Sequence, residues 1–135
     1  GGAAGGLSAG LVAFADAKLR PGFELIAEAC GLEKFIREAD LVITGEGSLD
    51  RQTAYGKTPL GVARMAKRHG VPVVALAGSL GEGYQSLYPL GIDAAFAIVS
   101  GPITLNEALA RTTELLGVTA EAVVRTWLLG RRSGA

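Results

Sequence analysis

Short apolar segments recur between helix-patterned stretches, and this alternation constrains the fold more than any other feature. The first is Leu41-Val42-Ile43, the second Pro72 to Ala77 and the third Ala94 to Val99. Each runs into a glycine-rich polar loop: Thr44 onward, Gly78-Ser79-Leu80-Gly81-Glu82-Gly83, and Ser100-Gly101-Pro102. Strands that alternate with helices imply a parallel sheet with helices on both faces. The expected class is therefore α/β, a Rossmann-like three-layer αβα arrangement with a mostly parallel sheet. Three strands are few for such a sheet, because its faces must be covered and its edges protected. The sheet is expected to be incomplete here, with strands from a missing N-terminal segment of the same protein completing it.

The helices are read from period and caps. Leu7, Gly10, Leu11, Phe14 and Lys18 keep helical spacing, which predicts a helix from Ser8 to Leu19, broken by Pro21-Gly22. Two short helices are expected at Phe23–Cys30 and Leu32–Ala39. Thr58-Pro59 reads as a helix start, with Thr as N-cap and Pro in the first turn, and Gly70 as its end. A short helix is expected near Tyr84–Leu90. Thr104-Leu105-Asn106-Glu107 is a capping box that opens a helix reaching Leu116, and a last helix is expected at Thr119–Leu129.

Bulk composition excludes several classes. Thirteen basic and thirteen acidic residues cancel, so no charge excess demands nucleic acid or an anionic membrane. The apolar runs are far too short to cross a bilayer, and hydrophobic residues at 49% allow a packed core in a single domain. The lone Cys30 cannot form an internal disulfide, which fits a cytoplasmic protein. The chain opens on Gly1-Gly2-Ala3-Ala4-Gly5-Gly6, a cluster that normally joins two structured elements, so a piece of a longer protein is expected.

Open α/β sheets bind ligands beyond the carboxyl ends of their strands. The loop Thr44 to Thr58 stands at such an end, and it is longer than the about two to six residues usual between strand and helix. Lys57 lies just before the Thr58 helix start, where the helix dipole disfavours a cation and an anion such as phosphate reverses the sign. Glu46 and Asp50 are separated by a glycine-containing step that lets both carboxylates face one cavity. There they could hold magnesium or accept a proton from an attacking hydroxyl, or either could cap its own turn, as Asp often does. Gly78 to Gly83 reads equally as an amide nest for phosphate oxygens, with Ser79 and Glu82 adding contacts, or as an ordinary turn. Gly5 and Gly6, ahead of the Ser8 helix, could offer further amides. His69 and Cys30 are read as helix-end structural residues, Trp127 as core, and Arg131-Arg132 as a solvated tail. Neither common phosphate motif applies. A P-loop ending in Gly56-Lys57-Thr58 needs Gly where Arg51 stands, and a dinucleotide fingerprint from Gly45-Glu46-Gly47 needs Gly at Asp50.

These residues resemble a known family. Gly2-Ala3-Ala4-Gly5-Gly6-Leu7-Ser8-Ala9-Gly10-Leu11 is similar to the glycine-rich segment of bacterial glycerate kinases. Ala39 to Asp50, followed by Gln52-Thr53 and Gly56-Lys57-Thr58-Pro59, looks like that family's long loop motif. Gly61-Val62-Ala63 and Ala77-Gly78-Ser79-Leu80-Gly81 fit as well. The resemblance implies an enzyme that uses ATP and Mg2+ to phosphorylate D-glycerate, commonly to 2-phosphoglycerate. It implies that this chain, 1–135, is the C-terminal part of a Rossmann-like domain whose N-terminal segment and second domain are absent, and that it is inactive alone. Ser48 stands where the family often has Arg. The expected catalytic set is Asp50, Glu46 and Lys57, with Asp50 and Glu46 as magnesium ligands. Thr44, Gly45, Gly47, Ser48, Gln52, Thr53, Gly78 and Ser79 would form the substrate and nucleotide walls with Gly5 and Gly6. A non-catalytic nucleotide-binding module is the rival reading.

Overall fold

The structure is a computed structural model that describes residues 10–15, 18–21, 33–34, 36–55, 58–98, 101 and 104–134. It contains strands β1 (Gly10–Ala15), β2 (Lys18–Pro21), β3 (Leu41–Leu49), β4 (Val73–Leu80) and β5 (Ala94–Ala97). Its helices are α1 (Thr58–Arg68), α2 (Leu105–Ala110) and α3 (Thr112–Gly134), with 3-10 turns at Arg51–Tyr55 and Tyr84–Leu90. The expected helix at Phe23–Cys30, Gly5, Gly6, Gly56 and Lys57 lie outside the described residues.

The five strands lie in the order β2-β1-β3-β4-β5. β3, β4 and β5 are parallel, as the strand–helix alternation predicts, with Val42 opposite Val73 and Val74 opposite Ala94. β1 runs antiparallel to β3 and β2 antiparallel to β1. The expected helix at Ser8–Leu19 is thus corrected: Gly10–Ala15 and Lys18–Pro21 are extended. Leu11-Val12-Ala13-Phe14-Ala15 satisfies a strand as well as a helical stripe, and pairing it along the edge of β3 decides the outcome.

Both sheet faces are covered. Val42, Val73, Ala75 and Ala77 pack with Leu60, Ala63 and Ala66 of α1 and with Ile36 and Leu87. Leu41, Ile43, Val74 and Leu76 pack on the other face with Leu115 and Val123 of α3. This is the three-layer α/β/α sandwich. Alternate strand residues point to opposite faces, so these apolar runs feed both layers at once.

Two glycines set the helix ends behind the sheet. Gly70 has φ +70°, and the bonds from Gly70 N–H to Lys67 O (3.2 Å) and Val71 N–H to Ala66 O (2.9 Å) form a Schellman cap on α1. Gly91, at φ +118°, repeats the pattern after the second 3-10 turn, with Ile92 N–H to Leu87 O at 3.3 Å. His69 lies beside the Gly70 cap, as read from sequence, and its Nε2 meets Glu33 Oε2 at 3.0 Å. That contact holds the Glu33 carboxyl below its usual range.

Thr104 caps α2 as expected, its Oγ1 accepting Glu107 N–H at 3.0 Å. The Glu107 carboxylate turns to Arg111 instead, at 3.7 Å. The two expected C-terminal helices are redrawn. The first turns at Arg111, and α3 then runs unbroken through Gly117, because its stripe of Leu115, Val123 and Trp127 packs on one sheet face and outweighs the single glycine. Trp127 is part of that packing, and Arg131 stacks 4.7 Å from its ring. No helix among the described residues is long and apolar enough to cross a membrane.

Candidate active site at the carboxyl ends of β3 and β4

The sequence places a loop from Thr44; the structure continues β3 through Leu49. Likewise β4 runs past Ala77 to Leu80. The two stretches pair with each other, Glu46 opposite Ala77, Ser48 opposite Ser79 and Leu49 opposite Leu80. Glycine and serine weaken strand propensity, but a parallel neighbour with the same offset overrides it. Several expected site residues therefore stand on a rigid ladder rather than on a loop.

Thr44 and Glu46 share the face of Val42 by the two-residue period, so they point toward the α1 layer. Both are buried, Thr44 2% and Glu46 9% exposed. Ala75 and Ala77 stand opposite them on β4, small side chains that leave room for a carboxylate. Glu46 Oε2 is buried with no hydrogen-bond partner among the described residues. Burial pushes the Glu46 carboxyl up to about 7, with the Thr44 side chain pulling the other way by less. A buried carboxylate oxygen without a donor is costly, and such groups mark sites where a ligand completes the pairing.

Asp50 has a different environment. Its Oδ1 accepts Gln52 N–H at 2.8 Å, and its own N–H donates to Thr53 Oγ1 at 3.0 Å. It thus anchors the 3-10 turn Arg51–Tyr55, one of the two roles the sequence leaves open for it. Gln52 is exposed and Thr53 half-buried.

The turn is laced to the end of β4. Gly81 N–H donates to Leu49 O at 2.7 Å, and Arg51 N–H to Glu82 O at 3.0 Å. A Cβ at Gly81 would lie 2.9 Å from Asp50 Cβ, so only glycine admits this approach. Gly47, Ser48 and Ser79 are exposed beside it, and Gly78 is half-buried. Gly45 sits one step earlier, opposite Leu76.

The structure thus brings Thr44, Gly45, Glu46, Gly47, Ser48, Asp50, Gln52, Thr53, Gly78 and Ser79 to one end of the sheet. α1 begins at Thr58, directly after Lys57, and has no acidic residue in its first turn. Arg51 also belongs to this edge. No local motif marks it, because its side chain lies against Gly83, thirty-two positions away.

An α/β/α sandwich with a buried carboxylate oxygen left without a partner at its strand ends places this chain among the α/β proteins. Comparison with known proteins narrows that class. A family model described as the glycerate kinase family matches residues 1–128, and the chain belongs to that family. A glycerate kinase of Halalkalibacterium halodurans is 55% identical over 128 residues, 93% of this chain and 34% of that protein. A glycerate 2-kinase of Escherichia coli K12 is 39% identical over 132 residues, 98% of this chain and 35% of the other. A crystal structure of a protein provisionally named glycerate kinase 2, from Salmonella typhimurium LT2, is 42% identical, with a TM-score of 0.56 over 84% of this chain and 28% of its own. The chain spans about a third of the length of the curated relatives it matches.

Proposed function

We propose that this chain supplies one wall of the site at which a glycerate kinase transfers the γ-phosphoryl group of ATP to a hydroxyl of D-glycerate. The product in this reading is 2-phosphoglycerate, in keeping with the name of the Escherichia coli relative. The observation that carries the reading is the buried Glu46 carboxyl, whose Oε2 lacks a partner at the strand ends. The chain would form the C-terminal part of a Rossmann-like domain. An N-terminal segment and a second domain would supply the other walls, consistent with relatives about three times as long. On its own it would be inactive. A cytoplasmic location follows from the same reading.

In this mechanism, Glu46 accepts the proton of the attacking hydroxyl. A carboxyl raised to about 7 is a stronger base than an ordinary one and remains partly ionised at neutral pH. Lys57 directly precedes α1 in the sequence, and a phosphate or carboxylate at the positive end of that helix would offset both charges. The exposed backbone and hydroxyls of Gly47, Ser48 and Ser79 would border the path of the transferred group, with Gly45 and Gly78 next to them in the chain. Thr44 adjoins Glu46, while Gln52 and Thr53 hold Asp50.

The donor set suits magnesium. Among the described residues no three metal-binding side chains cluster, which excludes an all-protein cage there. Magnesium instead takes one or two carboxylates and completes its shell with phosphates and water. Asp50, with Oδ1 committed to Gln52, would hold it through Oδ2. When bound, it would neutralise charge on the transferring phosphoryl group.

The test is glycerate-dependent ADP release by the full-length protein, with the product identified by phosphorus NMR. Formation of 2-phosphoglycerate is expected. ATP binding without any glycerate-dependent ADP would favour the non-catalytic module instead.

A further inference from the structure

Arg51 and Glu82 take no part in the mechanism above, yet the fold holds Arg51 in one place. Its backbone N–H is tied to Glu82 O at 3.0 Å, two residues after the end of β3 and one after the Asp50 anchor. Its side chain then crosses Gly83. A Cβ at that position would lie 2.8 Å from Arg51 Nε, 2.9 Å from its Cβ and 3.1 Å from Cζ, and Gly83 has φ +78°. Glycine at 83 is therefore required twice, once for its backbone and once to admit the Arg51 side chain. A surface arginine that only aids solubility needs no such groove.

The head of this side chain is weakly engaged. Arg51 Nη2 lies 3.8 Å from Glu82 Oε1, beyond hydrogen-bond length, and the two side chains are 66% and 90% exposed. A pair this exposed and this long is worth little to stability. A guanidinium offers donors in a planar fork that matches a carboxylate or phosphate edge-on. Here the arginine follows the carboxyl edge of the sheet, just beyond the ladder that ends in Leu49 and Leu80.

We propose that Arg51 is a substrate-reading residue that binds an oxyanion at the mouth of the site, and that Glu82 is a competing carboxylate which the oxyanion displaces. The inference deepens the kinase reading and rests on it for the two sources of that oxyanion, the carboxylate of the hydroxy acid and the phosphates of the nucleotide. Arg51 would act by positioning, not by proton transfer.

Binding, which needs no turnover, tests this separately from the kinase reading. Calorimetry on the full-length protein would measure D-glycerate and ADP in turn, for wild type, Arg51→Gln, Arg51→Lys and Glu82→Gln, with circular dichroism confirming the fold of each. Loss of one charge-assisted fork should weaken the oxyanion ligand roughly tenfold or more in Arg51→Gln. Arg51→Lys should recover part of that loss, and Glu82→Gln should bind more tightly than wild type. A loss confined to D-glycerate assigns the carboxylate, and a loss confined to ADP assigns the phosphates. Unchanged affinity for both ligands in Arg51→Gln would overturn the proposal. So would a Glu82→Gln loss equal to that of Arg51→Gln, because the pair would then be structural.

Discussion

The two ends of the parallel strands β3 and β4 are built on opposite terms. At the amino end, Val73 N–H is held by Asp93 Oδ2 at 2.8 Å, and Asp93 N–H returns to Val73 O at 2.9 Å. Two Schellman caps, at Gly70 and Gly91, close the neighbouring helices there. At the carboxyl end, a buried carboxylate oxygen is left without a partner, and an arginine is threaded over a glycine to a contact of 3.8 Å. One end is saturated with internal bonds; the other keeps polar capacity in reserve. Sites of chemistry characteristically give up local stability in this way, while the scaffold behind them holds.

The largest expected effect comes from removing what both ends share. Leu76 is fully buried on the interior strand β4, and Leu76→Ala should cost about 2–5 kcal/mol. Denaturant unfolding should show both ends failing in one transition.

The carboxyl end should show itself next through pH. The Glu46 carboxyl is raised from 4.5 to about 7 on folding. The unfolded chain therefore releases that proton first, and the contribution is fully present below about pH 4.5 and lost as pH rises through 7. The loss is on the order of 3 kcal/mol at most. Urea midpoints for Glu46→Gln should lack this segment of the pH profile, whereas Asp93→Asn at the opposite end should retain it.

A smaller effect separates the glycines. Gly91 has φ +118°, and a Cβ there would lie 3.2 Å from Ala63 Cβ, so Gly91→Ala should lose about 1–3 kcal/mol. Gly47, with open space around its Cβ position, should accept Ala with a change of about 0.5 kcal/mol. Turnover should reverse the order: Gly47→Ala should be the more impaired kinase, and Gly91→Ala should work normally where it remains folded.

Much of this scaffold is legible in the sequence, because it rests on local rules. Leu41-Val42-Ile43 and Val73 to Ala77 announce strands by composition, Gly70 ends α1, and Thr104 caps α2. What the sequence hides is pairing at a distance. Thr44 to Leu49 contains glycines, a serine and a carboxylate, so it reads as a loop until Gly78-Ser79-Leu80 is set beside it. Gly10–Ala15 keeps a helical stripe until β3 offers an edge. The candidate site divides likewise. The family resemblance and the strand-end rule locate Glu46 and Asp50, but only the folded chain separates them, giving Asp50 to its own turn and leaving Glu46 Oε2 without a partner among the described residues. The Arg51–Gly83 groove has no sequence motif at all, because it depends on a side-chain path between two turns.

The most direct test concerns the Glu46 carboxyl, whose Oε2 is buried without a partner among the described residues. Turnover of the full-length protein with saturating ATP and D-glycerate should be compared between wild type and Glu46→Gln, with the unfolding midpoint at pH 8 measured for both. The account predicts that kcat falls by about 100-fold or more, as for loss of a general base, while the midpoint holds or rises because the unpaired charge is gone. A Glu46→Gln enzyme that keeps wild-type turnover would contradict it.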